Sequence, residues 1–162
     1  MYDYQIPDAA GMTWVLFSQT WRAMYKVEER RLAKAGLTPE KLDVLWVSMD
    51  YPIPLTPAEI SRSLFRESQT IAALLSRMER EGLVTRVPKR KGKPFTEVKI
   101  TDKGEETRVA GLEVANDVVA DIMSCLSPEE HRHLQEMLRK LRQKALEHLR
   151  IELLPLPSAA SC

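Results

Sequence analysis

Long hydrophobic runs are missing from this 162-residue sequence. The longest, such as Ile71-Ala72-Ala73-Leu74-Leu75, fall far short of the ~20 apolar residues a membrane helix needs. The opening MYDYQIPD lacks the basic and apolar regions of a signal peptide, so a cytoplasmic chain with no membrane partner is expected. Cysteine is scarce. Cys125 and Cys162 have no metal-type spacing and make no disulfide framework, so both are expected to be reduced. Cys125 lies just before a helix start, where a thiolate able to sense oxidants would be favoured, but a buried, inert thiol is the expectation. The six glycines form no phosphate-cradling loop, and there is no His-Glu metal motif and no Ser-His-Asp or Cys-His arrangement. His131 and His133 are two apart on a helix and point in different directions, as surface histidines do. These absences argue against an enzyme, a bound metal and a cofactor. What is present is 44% apolar residues, enough for the core of one domain or of two small units sharing a core.

Net charge is also low, at +1, but it is unevenly placed. Thr56 to Gly104 holds 11 Lys and Arg against 6 Asp and Glu, while the rest of the chain holds 13 against 17. Between Thr85 and Thr96 five basic residues occur and no acidic one. A concentrated positive stretch of this kind matches a phosphate backbone. By contrast, Glu28, Glu29, Arg30 and Arg31 read as a solvated face.

The basic stretch follows two short helical segments. Thr56-Pro57-Ala58-Glu59 is a capping box with proline at the first helical position, and Ile60 and Leu64 sit one turn apart behind it. In Ser68 to Gly82 the residues Ile71, Leu74, Leu75 and Met78 share one helical face. Gln69, Ala73, Ser76 and Arg80 point the opposite way. Leu83 to Val87 and Phe95 to Thr101 then flank the basic tip Pro88 to Pro94 as a hairpin.

Around this centre the pattern is helical. Met1 to Gly11 reads as an irregular arm and Thr13 to Ala35 as a long helix with Trp14, Phe17, Trp21, Met24 and Tyr25 on one side, stopped by Gly36. Thr38-Pro39-Glu40 opens a second helix with Leu42, Leu45, Trp46 and Met49 inward, ended by Tyr51-Pro52-Ile53-Pro54. Thr101 begins another helix with Leu112, Val119, Ile122 and Met123 in its stripe, stopping near Cys125 or Leu126. Ser127-Pro128-Glu129-Glu130 caps a last helix carrying Leu134, Leu138, Leu141, Ala145 and Leu149. Leu154 to Cys162 reads as a tail. The fold class is therefore mainly α with a small β-hairpin wing. Residues 1–54 are N-terminal support and dimerisation helices, 55–101 the winged unit, 102–153 C-terminal dimerisation helices and 154–162 the tail. The outer stripes are wider than the central unit can cover, so a homodimer is expected.

Leu55-Thr56 through Ile60, Gln69-Thr70-Ile71, Leu74-Leu75, Arg77-Met78-Glu79, Glu81-Gly82-Leu83-Val84 and Val98 to Gly104 together resemble the winged helix-turn-helix of the MarR family. Gly36-Leu37-Thr38-Pro39 and Leu45 resemble the start of that family's second helix. The resemblance implies a homodimeric transcriptional regulator, often a repressor released by small phenolic or other lipophilic ligands or by oxidants. Trp14, Phe17, Trp21, Trp46 and Tyr51 are the candidate pocket residues it suggests, although an aromatic stripe is more often plain core. One departure is plain: relatives carry an Asp-Xaa-Arg pair in the wing, and Pro88 to Pro94 contains no acidic residue. Arg90 is then the candidate for entering the minor groove, with no aspartate to orient it.

A helix-turn-helix presents its second helix to the major groove of double-stranded DNA. Ser68, Gln69, Thr70, Ala72, Ala73, Ser76 and Arg77 are the candidate groove face. Gln69 suits an adenine edge, the alanines allow close approach, and Arg77 suits phosphate or a brace on the wing. Lys89, Arg90, Lys91 and Lys93 are candidates for backbone contact. Two copies would read a pseudo-palindromic operator with half-sites ~10 base pairs apart. The alternative is a helical dimer that binds a protein partner and no specific DNA; such a protein has no reason to keep a basic wing.

Overall fold

The computed structural model describes residues 4–49, 55–88 and 96–152. Among the described residues six helices and one hairpin follow in chain order: α1 (Ala9–Ala33), α2 (Pro39–Val47), α3 (Pro57–Ser63), α4 (Ser68–Arg80), β1 (Val84–Pro88), β2 (Thr96–Ile100), α5 (Asp102–Met123) and α6 (Pro128–Leu149). The chain is thus mainly helical with one small antiparallel sheet, as its sequence pattern predicts.

Local chemistry sets the helix starts. The hydroxyls of Thr38, Thr56, Thr101 and Ser127 each accept a hydrogen bond from the amide three residues on, which satisfies a donor that the helix itself cannot. At Ser127 the box is reciprocal, because the Glu130 carboxylate accepts from the Ser127 amide at 2.8 Å. α1 begins earlier than the pattern suggests. The Asp8 carboxylate caps the Gly11 amide at 2.6 Å and draws Ala9 to Gly11, expected to lie in an irregular arm, into the helix. Gly36 and Gly82 adopt positive φ just after α1 and α4, the left-handed conformation that lets a helix end and the chain turn away.

The principal core lies under α4. Ile71, Leu74, Leu75 and Met78 are all buried, packed with Val44 and Leu45 of α2, Leu55, Ile60, Leu83, Val84 and Val98. β1 and β2 pair with Val84 opposite Ile100 and Pro88 opposite Thr96. The Leu55 carbonyl accepts from the Val98 amide at 2.8 Å, tying the approach to α3 to the hairpin. Leu32, Leu37 and Leu42 form a second cluster against Leu112, Val114 and Ala115 of α5.

Two helices bury other residues than expected. Trp46 of α2 and Met49, in the turn just after it, are exposed, and Val44 is buried in their place. This nine-residue helix contacts the α4 core on one side and α5 on another, so it has no single inward stripe. On α5 the fully buried positions are Gly104, Gly111 and Val118, while Val119 is exposed and Leu112 half-buried. Small residues seven apart let this helix lie close to the rest of the chain.

Candidate nucleic-acid interface

α4 is held by one face and leaves the other open. Ser68, Gln69, Thr70, Ala72, Ala73, Arg77 and Arg80 are exposed, and Ser76 is half-buried with its hydroxyl donating to the Ala72 carbonyl at 2.9 Å. The structure therefore places every candidate groove residue of this helix outside the core. Neither Arg77 nor Arg80 forms an ion pair among the described residues. Lys89, Arg90, Lys91 and Lys93 of the wing, and Tyr51, lie outside the described residues.

The turn before α4 is tightly drawn. Phe65 is exposed at φ +51°, a conformation costly for a bulky side chain. The Arg66 amide donates to the Ser61 carbonyl at 3.0 Å, and the Ser61 hydroxyl returns a bond to the Arg66 carbonyl. Those bonds close α3 onto α4 in the geometry of a helix-turn-helix.

Sequence reasoning misses the contact that aims the wing. Glu79, on the flank of α4, accepts from the Arg86 amide at 3.1 Å and from Arg86 Nε at 2.9 Å. These hydrogen bonds from Arg86 hold the Glu79 carboxyl below its ordinary range. A carboxylate on α4 thus fixes β1 by both main chain and side chain. The two residues are seven apart across a turn, and no periodicity pairs them.

Of Glu28, Glu29, Arg30 and Arg31, read from sequence as a solvated face, the two arginines are exposed, while Glu28 and Glu29 are half-buried. Tyr25 and Glu28 of α1 lie against Glu40 and Asp43 of α2, and the Tyr25 hydroxyl donates to Glu40. Burial pushes the Asp43 carboxyl up to about 6, with the charges of Glu28 and Glu40 adding to the shift and Arg66 opposing it. Burial, and then Glu40, likewise raise Glu28. Because folded Asp43 holds its proton more firmly than the unfolded chain does, its contribution to stability falls as pH rises between its ordinary value near 4 and about 6. Solvent screening of this part-exposed group limits the penalty to about 1 kcal/mol. Asp43→Asn is therefore expected to stabilise the protein by about 1 kcal/mol at pH 8, with most of that gain gone at pH 4. Urea denaturation at the two pH values checks this; an equal gain at both would show that the carboxyl charge is not the cause.

Trp14, Phe17, Trp21 and Trp46 are surface side chains in the single chain, with Trp14 71% exposed and Trp21 59% exposed. Trp14 and Phe17 form a tilted ring pair at 6.5 Å, and Trp21 pairs with Tyr25 at 5.9 Å. Cys125 is exposed, contrary to the expectation of a buried thiol, because the α5–α6 turn puts it on the surface; its Sγ donates to the Ile122 carbonyl at 3.2 Å. His131 is half-buried beside the Met123 carbonyl, and His133 is exposed. No helix among the described residues is long and apolar enough to cross a membrane.

An exposed second helix, a braced first helix and a hairpin locked to the second helix define a winged helix-turn-helix DNA-binding protein. Residues 35–93 match the model of the MarR family. The HTH-type transcriptional regulator PecS of Dickeya dadantii is 28% identical over 126 residues, covering 75% of this chain and 72% of PecS. The crystal structure of the organohalide-sensing transcriptional regulator RdhR-CbdbA1625 in its ligand-free form superposes with a TM-score of 0.81 at 26% identity, covering 96% of this chain and 97% of that one. Its 2,4-dichlorophenol-bound form gives the same TM-score at 25% identity, covering 98% and 99%. The S. aureus MepR–DNA complex shares the fold, with a TM-score of 0.74 at 22% identity over 81% of this chain and 96% of MepR. Matched segment, relative and fold agree with one another: residues 35–93 match the MarR-family model, and PecS and RdhR-CbdbA1625, to which the chain is similar, are transcriptional regulators.

Proposed function

We propose that this protein is a cytoplasmic homodimeric repressor that binds a pseudo-palindromic operator and releases it on binding a small lipophilic effector. The observation that carries the reading is the α4 surface. It offers hydroxyls, an amide, two small side chains and two arginines, and the carboxylate on its flank, Glu79, is occupied by Arg86. A duplex meets hydrogen-bond donors and two arginines on this face. Ser68, Gln69, Thr70, Ala72, Ala73, Ser76 and Arg77 form the groove face, and Lys89, Arg90, Lys91 and Lys93 the backbone contacts. Residues 55–101 act as the reading unit, with 1–54 and 102–153 pairing two copies.

Support for the effector comes from the exposed aromatics of α1 and α2 and from the dichlorophenol bound by a structural neighbour of nearly the same length. Apolar rings of this size need cover, and the second copy together with a flat lipophilic ligand supplies it.

The test is DNA selection with the purified protein, followed by binding to the selected site at several salt concentrations. Arg90→Ala with Lys91→Ala removes about four charges from a dimer, so the salt slope should fall by about 3–4 and affinity by on the order of 100-fold at moderate salt. Gln69→Ala should change the selected sequence and leave the slope as it was. An unchanged slope in the wing variant removes the wing from the interface.

A further inference from the structure

The exit of α4 is gripped from two sides. Glu81, its C-cap residue, takes both carboxylate oxygens to Lys41 Nζ of α2, at 2.9 and 2.7 Å. Its carbonyl accepts from Lys103 Nζ of α5 at 2.8 Å. The next two carbonyls are also held: Gly82 accepts from the Thr101 hydroxyl at 2.6 Å, and Leu83 from the Thr101 amide at 3.2 Å. The Lys41 side chain is only 13% exposed, against 44% for Glu81. A lysine so covered is poorly placed to meet a phosphate, and its pairing is stronger than that of an ordinary surface bridge. Two cations at a helix C-terminus also balance the partial negative charge of the helix and the carboxylate beside it.

The other end of α4 is different. Glu67, at its N-cap, makes no side-chain capping bond. The helix is therefore fixed to α2 and α5 at its exit, while its start is tied to α3 through the Ser61–Arg66 bonds, so that α3 and α4 would tilt together about the exit. Thirteen residues span about 20 Å, so a tilt of ~10° about the fixed end moves the far end by about 3.5 Å. One base pair rises by ~3.4 Å.

We propose that Lys41, through its ion pair with Glu81, is a positioning residue that sets the direction of the recognition helix and with it the half-site spacing the protein accepts. The role rests on the DNA-binding reading above. Lys41 touches no base; it works by fixing the angle between α4 and the helices α2 and α5, so its loss should loosen spacing before it removes affinity for a half-site.

The experiment measures binding of the full chain to the selected operator and to versions with one base pair added or removed between half-sites, at several salt concentrations. Wild type should discriminate by about tenfold or more, the cost of a mismatched site. Lys41→Met, which keeps the apolar stem, should cut that discrimination to about threefold or less with the salt slope unchanged, and Lys41→Arg should restore it in part. Glu81→Gln, which leaves Lys41 in place, should reproduce the effect and serves as the reading if Lys41→Met does not fold. Unaltered discrimination in a folded Lys41→Met, or in Glu81→Gln where the methionine variant does not fold, overturns the proposal. So does a slope that falls by about one per protomer, since Lys41 would then be a phosphate contact. If wild type shows no selective DNA binding at all, the functional reading itself fails.

Discussion

Gly104→Ala is expected to cost about 2–3 kcal/mol of folding stability and to lower the melting temperature by roughly 4–12 °C. A Cβ at this position would stand 2.1 Å from the Leu83 carbonyl oxygen and 2.7 Å from Ile100 Cγ2. The oxygen belongs to a main chain already held by the Thr101 amide, so neither partner can step aside cheaply. Alanine is the better helix former by ~1 kcal/mol, which offsets part of the clash and no more. Gly111→Ala is the informative control. There the new methyl meets the ends of Leu37 and Leu42 at 2.6 and 2.9 Å, side chains that can rotate, and a net cost of about 1 kcal/mol or less is expected. Urea and thermal denaturation of both variants test the ranking. A Gly104→Ala protein as stable as wild type would mean that α5 does not lie this close to the reading unit.

These glycines show where the sequence stops being legible. A scan for apolar periodicity looks for bulky residues, and on α5 it finds Val119 and Met123 while the closest packing belongs to Gly104 and Gly111. α2 misleads for a related reason: with contacts on two sides in nine residues, Val44 faces the α4 core while the larger Trp46 does not. Pairings between distant elements, such as Lys41 with Glu81 and Tyr25 with Glu40, leave no trace in local pattern. α4 was readable because it packs on one side only, so its four buried residues stand at clean helical spacing. The helix starts were readable because a cap is a contact between residues three apart. The exposed face of α4 therefore follows from sequence, and the contacts that hold its two ends come from tertiary structure.

The outer stripes lead to the other large effect. On α6, Leu141 is 56% exposed, with Met137, Leu138 and Leu149 exposed beside it, and α1 shows Trp14, Phe17 and Trp21. Apolar surface on this scale is unusual for a chain that works alone. In the proposed homodimer a two-fold interface presents each residue twice, so Leu141→Glu would place two carboxylates in a shared apolar seam. The variant is expected to sediment as an 18.5 kDa species while wild type sediments at twice that mass. Its fold should persist, because no residue of α6 belongs to the core beneath α4. DNA affinity should then fall by about 100-fold or more, since each freed protomer keeps its own half-site contacts and loses the second, linked binding event. Circular dichroism, sedimentation velocity and binding to the selected operator separate the possibilities. A Leu141→Glu protein that still sediments as wild type does would move the seam off α6. A folded monomer with undiminished operator affinity would mean that one copy of the reading unit is enough.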